Sequence, residues 1–106
     1  GDSSIIPIKN WKKIINIKTI RLDEVLSNYK KVKFIKIEAE GAEPEILLGG
    51  IKSLKKVEFI SIDVGFERGL DQSSTLVECT NFMLRNNFSL IDFRWDRLVL
   101  LFKNNN

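Results

Sequence analysis

The stretch VKFIKIEAEGAEPEILLGG, residues 32–50, decides the fold of this chain. Residues 32–39 are rich in β-branched and aromatic side chains, which predicts a strand that ends in a carboxylate. Residues 40–43 then predict a turn, Pro44 suits the first position of a helix, and Gly49-Gly50 suits its end. The stretch therefore predicts a strand, a turn and a helix in succession.

The same order continues downstream. Residues 57–64, VEFISIDV, predict a second strand whose last acid is Asp63, followed by a loop over residues 65–74. A capping-box pattern over residues 75–78 predicts the start of a helix that runs to about Asn86. Residues 88–93 and 98–102 predict two strands joined by a short connection, most simply an antiparallel hairpin.

Upstream, apolar residues at Leu22, Val25, Leu26 and Tyr29 have the spacing of one helical face. Asp23 and the residue after it suit the amino end of that helix, and the lysines at 30–31 suit its carboxyl end. Residues 5–20 mix apolar and basic side chains, which predicts irregular chain or short edge strands.

Strands that alternate with helices predict an α/β fold with right-handed crossovers and a mostly parallel sheet, closed by the antiparallel hairpin. The run at residues 98–102 is apolar on both faces, so we expect it to be interior in a three-layer arrangement. Four strands make only half of a doubly wound sheet, so one long edge should lie open. We expect a single partial domain over residues 1–106.

Composition excludes several kinds of chemistry. The chain has no histidine and one cysteine, Cys79, so it holds neither a Ser/His or Cys/His nucleophilic system nor an ordinary zinc site. No apolar run approaches the roughly 20 residues of a membrane helix. The single cysteine fits a reducing compartment, so a cytoplasmic location is expected. A start without methionine indicates a processed or excised piece.

The net charge of +3 has two readings. The lysines form small clusters at 12–13, 30–33 and 52–56, each beside an apolar segment, as the solvated edges of elements do. The alternative is a phosphate-binding stripe. We favour the solvated surface and expect no nucleic-acid partner.

Each of the two central predicted strands ends in acidic residues. If the strands are neighbours, Glu38, Glu40 and Asp63 converge at one edge of the sheet, because ligands in open α/β sheets bind beyond the carboxyl ends of parallel strands. Three carboxylates together raise a pKa or recruit a cation, which predicts a general base or an ion site. The alternative is structural: Glu40 and Glu43 cap the next helix, and Asp63 binds its own loop.

Three motifs carry a resemblance to a known family. TIRLDE at residues 19–24, KIEAEGAE at 36–43 and EILLGG at 45–50 resemble the signature of the FkbM family of S-adenosylmethionine-dependent methyltransferases, and the likeness extends to about residue 102. The first box holds one extra residue between Thr19 and the Leu-Asp pair. Glu38 stands where the family has aspartate, and the later strand ends in Asp63 where the family has glutamate.

The resemblance implies a Rossmann-like class I methyltransferase fold of which this chain is the carboxyl-terminal half. It implies methyl transfer from S-adenosylmethionine to a hydroxyl of a sugar, glycan or secondary metabolite. Its glycine-rich cofactor turn has no counterpart here, so the isolated fragment is expected to be inactive. The implied roles are catalysis by Glu38 and Glu40, acceptor binding by Asp63 and Arg68, and cofactor contact by Lys36 and Gly41, with no metal.

A different class remains open: a non-catalytic α/β module that binds a partner. Self-association through the open edge at the strand of residues 32–39 is expected in either case. Several residues also have bland readings. Lys36 can snorkel, Arg68 can be a solvated loop charge, Asp23 a helix cap and Cys79 a packing residue. Trp11 and Trp95 are expected to pack rather than to stack on an acceptor.

Overall fold

The computed structural model describes residues 5–8, 13–16 and 22–106. The helices and strands are, in chain order, β1 (Ile5–Ile8), β2 (Lys13–Asn16), α1 (Leu22–Leu26), β3 (Val32–Ile37), α2 (Glu43–Leu48), β4 (Val57–Asp63), α3 (Leu76–Arg85), β5 (Phe88–Arg94) and β6 (Val99–Asn104). A short 3-10 helix, Leu54–Lys56, leads directly into β4. The predicted order of helices and strands after residue 21 is therefore confirmed, although α1 is shorter than its apolar pattern suggested.

The larger sheet has the order β3-β4-β6-β5. Strands β3 and β4 pair in parallel, whereas β6 pairs antiparallel with both β4 and β5. The fold is thus α/β, and three of the four strands run in the same direction. We expected a mostly parallel sheet, but only one of its three strand pairs is parallel. The reason is that the reversed strand β6 lies between β4 and β5 and pairs antiparallel with both.

The hairpin of β1 and β2 forms a separate two-stranded sheet. Short strands were one of the two expectations for this part of the chain. Strand β1 lies against β3 without joining its ladder. The edge that was expected to lie open therefore has a neighbour along β3, although the two strands belong to different sheets.

The two faces of the larger sheet are covered unequally. Neighbouring residues on one face are fully buried: Ile35, Ile37, Ile60, Ile62, Leu100 and Phe102. Residues Leu22 and Leu26 of α1, Leu47 of α2 and Met83 of α3 belong to the same buried cluster. On the opposite face, Phe34, Phe59, Val99 and Leu101 are only half-buried. The run at residues 98–102 is interior on one face alone, so among the described residues the expected third layer is missing.

Two sequence motifs that lie apart hold each other in place. Leu22 packs so closely on Gly50 that a side chain at Gly50 would collide with it. The Asp23 backbone N–H donates to the Gly49 carbonyl at 2.9 Å, and Asp23 Oδ1 accepts the Ser53 N–H at 3.0 Å. Asp23 therefore ties the start of α1 to the turn after α2, which is a structural role but not the cap of its own helix.

Candidate functional site

The parallel pair β3 and β4 ends at a common edge. Ile37 pairs with Ile62, and the same 25-residue offset holds along the ladder. Glu38 and Asp63 are the next residues of the two strands, so they lie side by side where the strands end. Neighbouring strands lie about 4.8 Å apart. The fold therefore brings these two predicted site residues to the same edge of the sheet.

Glu40 reaches this edge by a different route from the one expected. Strand β3 ends at Ile37, so Glu40 does not lie in the strand and does not share a strand face with Glu38. Its backbone has φ 48°, in the left-handed region, and its side chain is exposed. Glu38 and Glu40 would leave on one strand face only if the strand continued to residue 40, and the strand instead ends at Ile37, with the turn at residues 40–41.

Gly41 allows the turn to close. Its φ is 102°, a conformation that side-chain-bearing residues rarely adopt. A Cβ at this position would lie 2.7 Å from the Glu67 carbonyl oxygen and 2.8 Å from the Arg68 Cα. Gly41 is therefore required both by its own backbone conformation and by the close approach of the loop that follows β4.

Glu43 is the buried centre of the turn. Its side chain is 1% exposed, and Oε2 accepts the N–H groups of Ala39 and Gly41, both at 3.0 Å. Oε1 accepts the Thr75 hydroxyl at 2.8 Å. A buried carboxylate is tolerated only when it is hydrogen-bonded in this way. The expected capping role is wrong: Glu43 lies inside α2, whose amino end has no side-chain cap.

Thr75 was the expected start of a capping box, and its hydroxyl serves Glu43 instead. The hydroxyl of the preceding Ser74 accepts the Leu76 N–H at 3.0 Å and donates to the Val64 carbonyl at 2.5 Å. The sequence gives a weak sign of Glu43, since an acid directly before Pro44 and after a glycine turn has backbone N–H groups within reach. It gives no sign of Thr75, which lies 32 residues away.

Arg68 clamps the loop after β4 onto α2. Its guanidinium donates to both carboxylate oxygens of Glu45, at 2.8 and 2.6 Å, and to the Gly41 carbonyl at 2.6 Å. The hydrogen bond to Arg68 lowers the pKa of Glu45, and the same contact raises the pKa of Arg68. The proposed acceptor-binding residue is thus held in place by the protein itself.

Glu67, which sequence reasoning missed, is a fourth acid at this edge. Burial is the largest cause that raises its pKa, and the charges of Asp63, Glu40 and Glu43 raise it further. These carboxylates are therefore close enough to repel one another. We call Glu38, Glu40, Asp63 and Glu67 the acidic rim. The position of Glu67 within an irregular loop left no pattern by which to place it.

Glu38 and Asp63 each contact a residue two positions away in the sequence. Glu38 Oε1 lies 3.2 Å from the Lys36 ammonium, and Asp63 Oδ1 accepts the Gly65 N–H at 3.0 Å. The second contact is the one that the structural alternative expected of Asp63. Within residues 22–106 and the two described short strands, no group of three or more acids, cysteines or histidines has the arrangement of a metal site.

The remaining sequence predictions concern Cys79, Trp95 and Trp11. Cys79 is fully buried on α3, and burial raises the pKa of its thiol to about 12, so it is an inert packing residue as predicted. Trp95 packs edge-on against Phe93 in the terminal hairpin, with ring centroids 5.2 Å apart. Trp11 lies outside the described residues. Among the helices that the structure describes, none has the length and apolar character needed to cross a membrane.

The sequence matches the family described as methyltransferase FkbM domain over residues 2–90, which includes the glycine turn, Glu43 and the loop that carries Arg68. The match ends within β5 and begins well before the first motif that carried the resemblance. No curated protein and no solved structure matches the chain. Because the family match covers most of the sequence, the chain belongs to the FkbM methyltransferase domain family.

Proposed function

We propose that this chain is the acceptor-side half of an S-adenosylmethionine-dependent methyltransferase that modifies a hydroxyl oxygen of a sugar, glycan or secondary metabolite. Membership of a methyltransferase family supports the reaction class. The observation that carries the rest is the acidic rim, which collects carboxylates beyond the ends of two parallel strands. That is where open α/β sheets bind their ligands.

The chemistry asked of this half is proton transfer. A hydroxyl oxygen that gains a methyl group must lose its proton, and a carboxylate within hydrogen-bond reach can accept it. We assign this role to Glu40 or Glu38, with Asp63 and Arg68 orienting the acceptor. Glu40 is exposed at the turn, and Glu67, whose pKa is raised by partial burial and by its acidic neighbours, is a further candidate base.

The described residues do not by themselves fit a cofactor site. The Gly41 N–H is bonded to Glu43, a side chain at Gly41 would strike the loop after β4, and the Lys36 ammonium is paired with Glu38. We therefore propose an indirect role for Lys36 and Gly41, which shape the edge beside the cofactor. The isolated chain should show no micromolar binding of S-adenosylmethionine in calorimetry, and such binding would overturn this proposal.

The test of the acidic rim uses the full-length protein and an assay of methyl transfer. Glu40→Gln should lower turnover by at least tenfold. This loss is smaller than the roughly 10²-fold that general-base catalysis contributes, because a neighbouring acid can partly substitute. The loss of turnover should be much larger than any loss of stability, because Glu40 is exposed and glutamine keeps its size. Glu24→Gln, at an exposed acid of α1, is the matched control and should leave turnover unaltered. If Glu40→Gln transfers methyl groups at the normal rate, the acid is structural.

One observation favours the alternative of a non-catalytic module. Glu43, Glu45, Arg68 and Asp63 are all held by contacts within the protein, as they would be in a domain kept for its shape. The two functions separate in one experiment: a full-length protein that folds, binds S-adenosylmethionine and still methylates no hydroxyl in a panel of sugars and glycans would favour the module.

Self-association through the edge of β3 stays a prediction. β1 lies against that strand but belongs to a different sheet, so a second copy would have to pair with β3 in place of β1. Sedimentation at high protein concentration tests this, and a strict monomer would contradict it.

A further inference from the structure

The amino-terminal edge of the sheet, opposite to the acidic rim, carries an open depression of about 630 Å³. We call it the basic depression. Six lysines and one acid line it together with two valines and two asparagines: Lys30, Lys31, Lys33, Lys55, Lys56, Lys103, Glu58, Val32, Val57, Asn104 and Asn106. Six ammonium groups face one carboxylate, so the depression has a strong excess of positive charge.

The fold assembles these lysines from segments that lie far apart. Two precede β3 and one lies within it, two belong to the 3-10 helix before β4, and Lys103 lies near the end of β6. Strands β3 and β4 begin at this edge, and β6 runs in the opposite direction, so it ends there. Clusters that resemble separate solvated edges in the sequence thus converge on a single surface.

Some of these lysines have partners and others point to solvent. Lys33 pairs with Glu58 at 2.8 Å, and Lys56 donates to the Leu26 carbonyl at 3.0 Å. Lys103 lies 5.5 Å from the centre of the Phe59 ring, and Lys33 lies 5.4 Å from it. The remaining three, Lys30, Lys31 and Lys55, have exposed side chains.

The single acid does not neutralise the surface. Its pKa is lowered chiefly by the hydrogen bond from Lys33 and further by the charges of Lys103 and Lys31. Glu58 is therefore shared among several lysines at once, and positive charge remains in excess after that pairing. Like charges held together repel unless an anion offsets them, so this surface gains from a multivalent anion.

We propose that the basic depression binds a compact anion with several phosphate groups, such as an oligophosphate or a multiply phosphorylated small molecule. Lysine ammonium groups bind phosphate as point charges, and six of them line this one depression. None of the lining residues is aromatic, so the surface lacks the stacking platform of single-stranded nucleic acid sites. The lysines stand around one open depression, so a compact anion placed there meets several ammonium groups at once.

Calorimetric titration with inorganic tripolyphosphate tests this proposal. The chain should bind tripolyphosphate more tightly than orthophosphate, and the affinity should fall as salt is raised. Lys31→Gln with Lys55→Gln removes two exposed ammonium groups and should weaken binding on the order of tenfold, given the interaction of unit charges at contact distance in water. The control, Lys52→Gln with Arg85→Gln, removes the same net charge outside the depression and should bind as the unsubstituted chain does.

Each other outcome decides against the proposal. Equal losses in both double variants would show a response to net charge alone. No binding of tripolyphosphate at physiological salt, or binding only to vesicles of anionic lipid, would exclude a phosphate pocket. Circular dichroism checks that the variants fold, and if the lysine pair unfolds the chain, Lys55→Gln alone replaces it with an expected loss of about threefold. The proposal does not depend on methyl transfer, so its failure leaves the proposed function untouched.

Discussion

The two edges of the sheet carry opposite charges and hold them in different ways. At the carboxyl edge, Glu43 is buried against two backbone N–H groups and a hydroxyl, and Arg68 is fixed by Glu45. At the amino edge, six lysines surround an open depression and half of them are exposed without such fixation. Buried charges need specific partners, whereas exposed charges do not. Substitutions of the buried and paired residues at the carboxyl edge should therefore affect stability, and substitutions of the exposed lysines at the amino edge should affect binding.

The largest effect is expected for Glu43→Ala. It removes the acceptor of the Ala39 and Gly41 N–H groups and of the Thr75 hydroxyl, all of them buried. Each buried donor left without a partner costs about 1–3 kcal/mol. The free energy of unfolding measured in urea should therefore fall by about 3 kcal/mol or more.

Two controls sharpen this result. Glu43→Gln keeps the shape and one carbonyl oxygen, and should cost about 1–2 kcal/mol because the charge-assisted bonds are lost. Lys55→Gln at the amino edge should change the free energy of unfolding by less than about 0.5 kcal/mol. A Glu43→Ala variant as stable as Lys55→Gln would remove the distinction between the two edges.

The next effect is expected for Gly41→Ala, compared with Gly69→Ala. Both glycines have positive φ, 102° and 68°, but only Gly41 also lies against backbone, with the Glu67 carbonyl 2.7 Å from a Cβ. Gly69→Ala should cost about 1 kcal/mol for its backbone conformation alone. Gly41→Ala should cost at least about 2 kcal/mol, since the loop after β4 must also move. Equal losses for the two variants would show that the close approach has no energetic weight.

Much of the fold could be predicted because its causes are local. The β-rich runs at β3 and β4, the glycine turn after β3 and the amphipathic α3 each depend on residues within a few positions. The shared edge of Glu38 and Asp63 also followed, since right-handed crossovers place the ends of parallel strands together. These features need no knowledge of distant contacts.

The rest could not be predicted because it depends on pairs distant in sequence. Glu43 is buried only because Thr75 reaches it, and Arg68 is a clamp only because its loop crosses Gly41. The basic depression joins Lys31 to Lys103 across most of the chain. The half-buried second face of β6 depends on what packs there, which apolar content alone does not indicate.

A smaller effect is expected from the pair of Arg68 and Glu45. The Glu45 side chain is exposed and that of Arg68 is half-buried, so solvent screens the pair and it should contribute less than either change above. The pKa of Glu45 is lowered from its ordinary value of 4.5, so its contribution is present above pH 4.5 and is lost as the pH falls through the lowered value.

Arg68→Gln should therefore reduce the dependence of stability on pH below 4.5. Urea unfolding across that range measures the change, and Arg85→Gln on α3 is the control that removes a charge without touching Glu45. An unaltered pH profile in Arg68→Gln would show that the clamp is absent in solution.

The smallest effect, and the one of opposite sign, is expected for Glu67→Gln. Partial desolvation is the largest cause that raises the pKa of Glu67, and the charges of Asp63, Glu40 and Glu43 raise it further, so its ionised form is disfavoured in the folded chain. A carboxyl whose folded pKa is raised costs stability once the pH exceeds that value, and the cost disappears when both states are protonated. Glu67→Gln should therefore increase the free energy of unfolding at pH 7, by only a few tenths of a kcal/mol because the side chain is exposed and screened.

The gain should vanish below pH 4, while Glu58→Gln at the amino edge, where lysines lower the carboxyl pKa, should show no such gain at pH 7. Thermal unfolding at the two pH values measures both variants, and a loss of stability in Glu67→Gln at pH 7 would mean that the acidic rim is not under electrostatic repulsion.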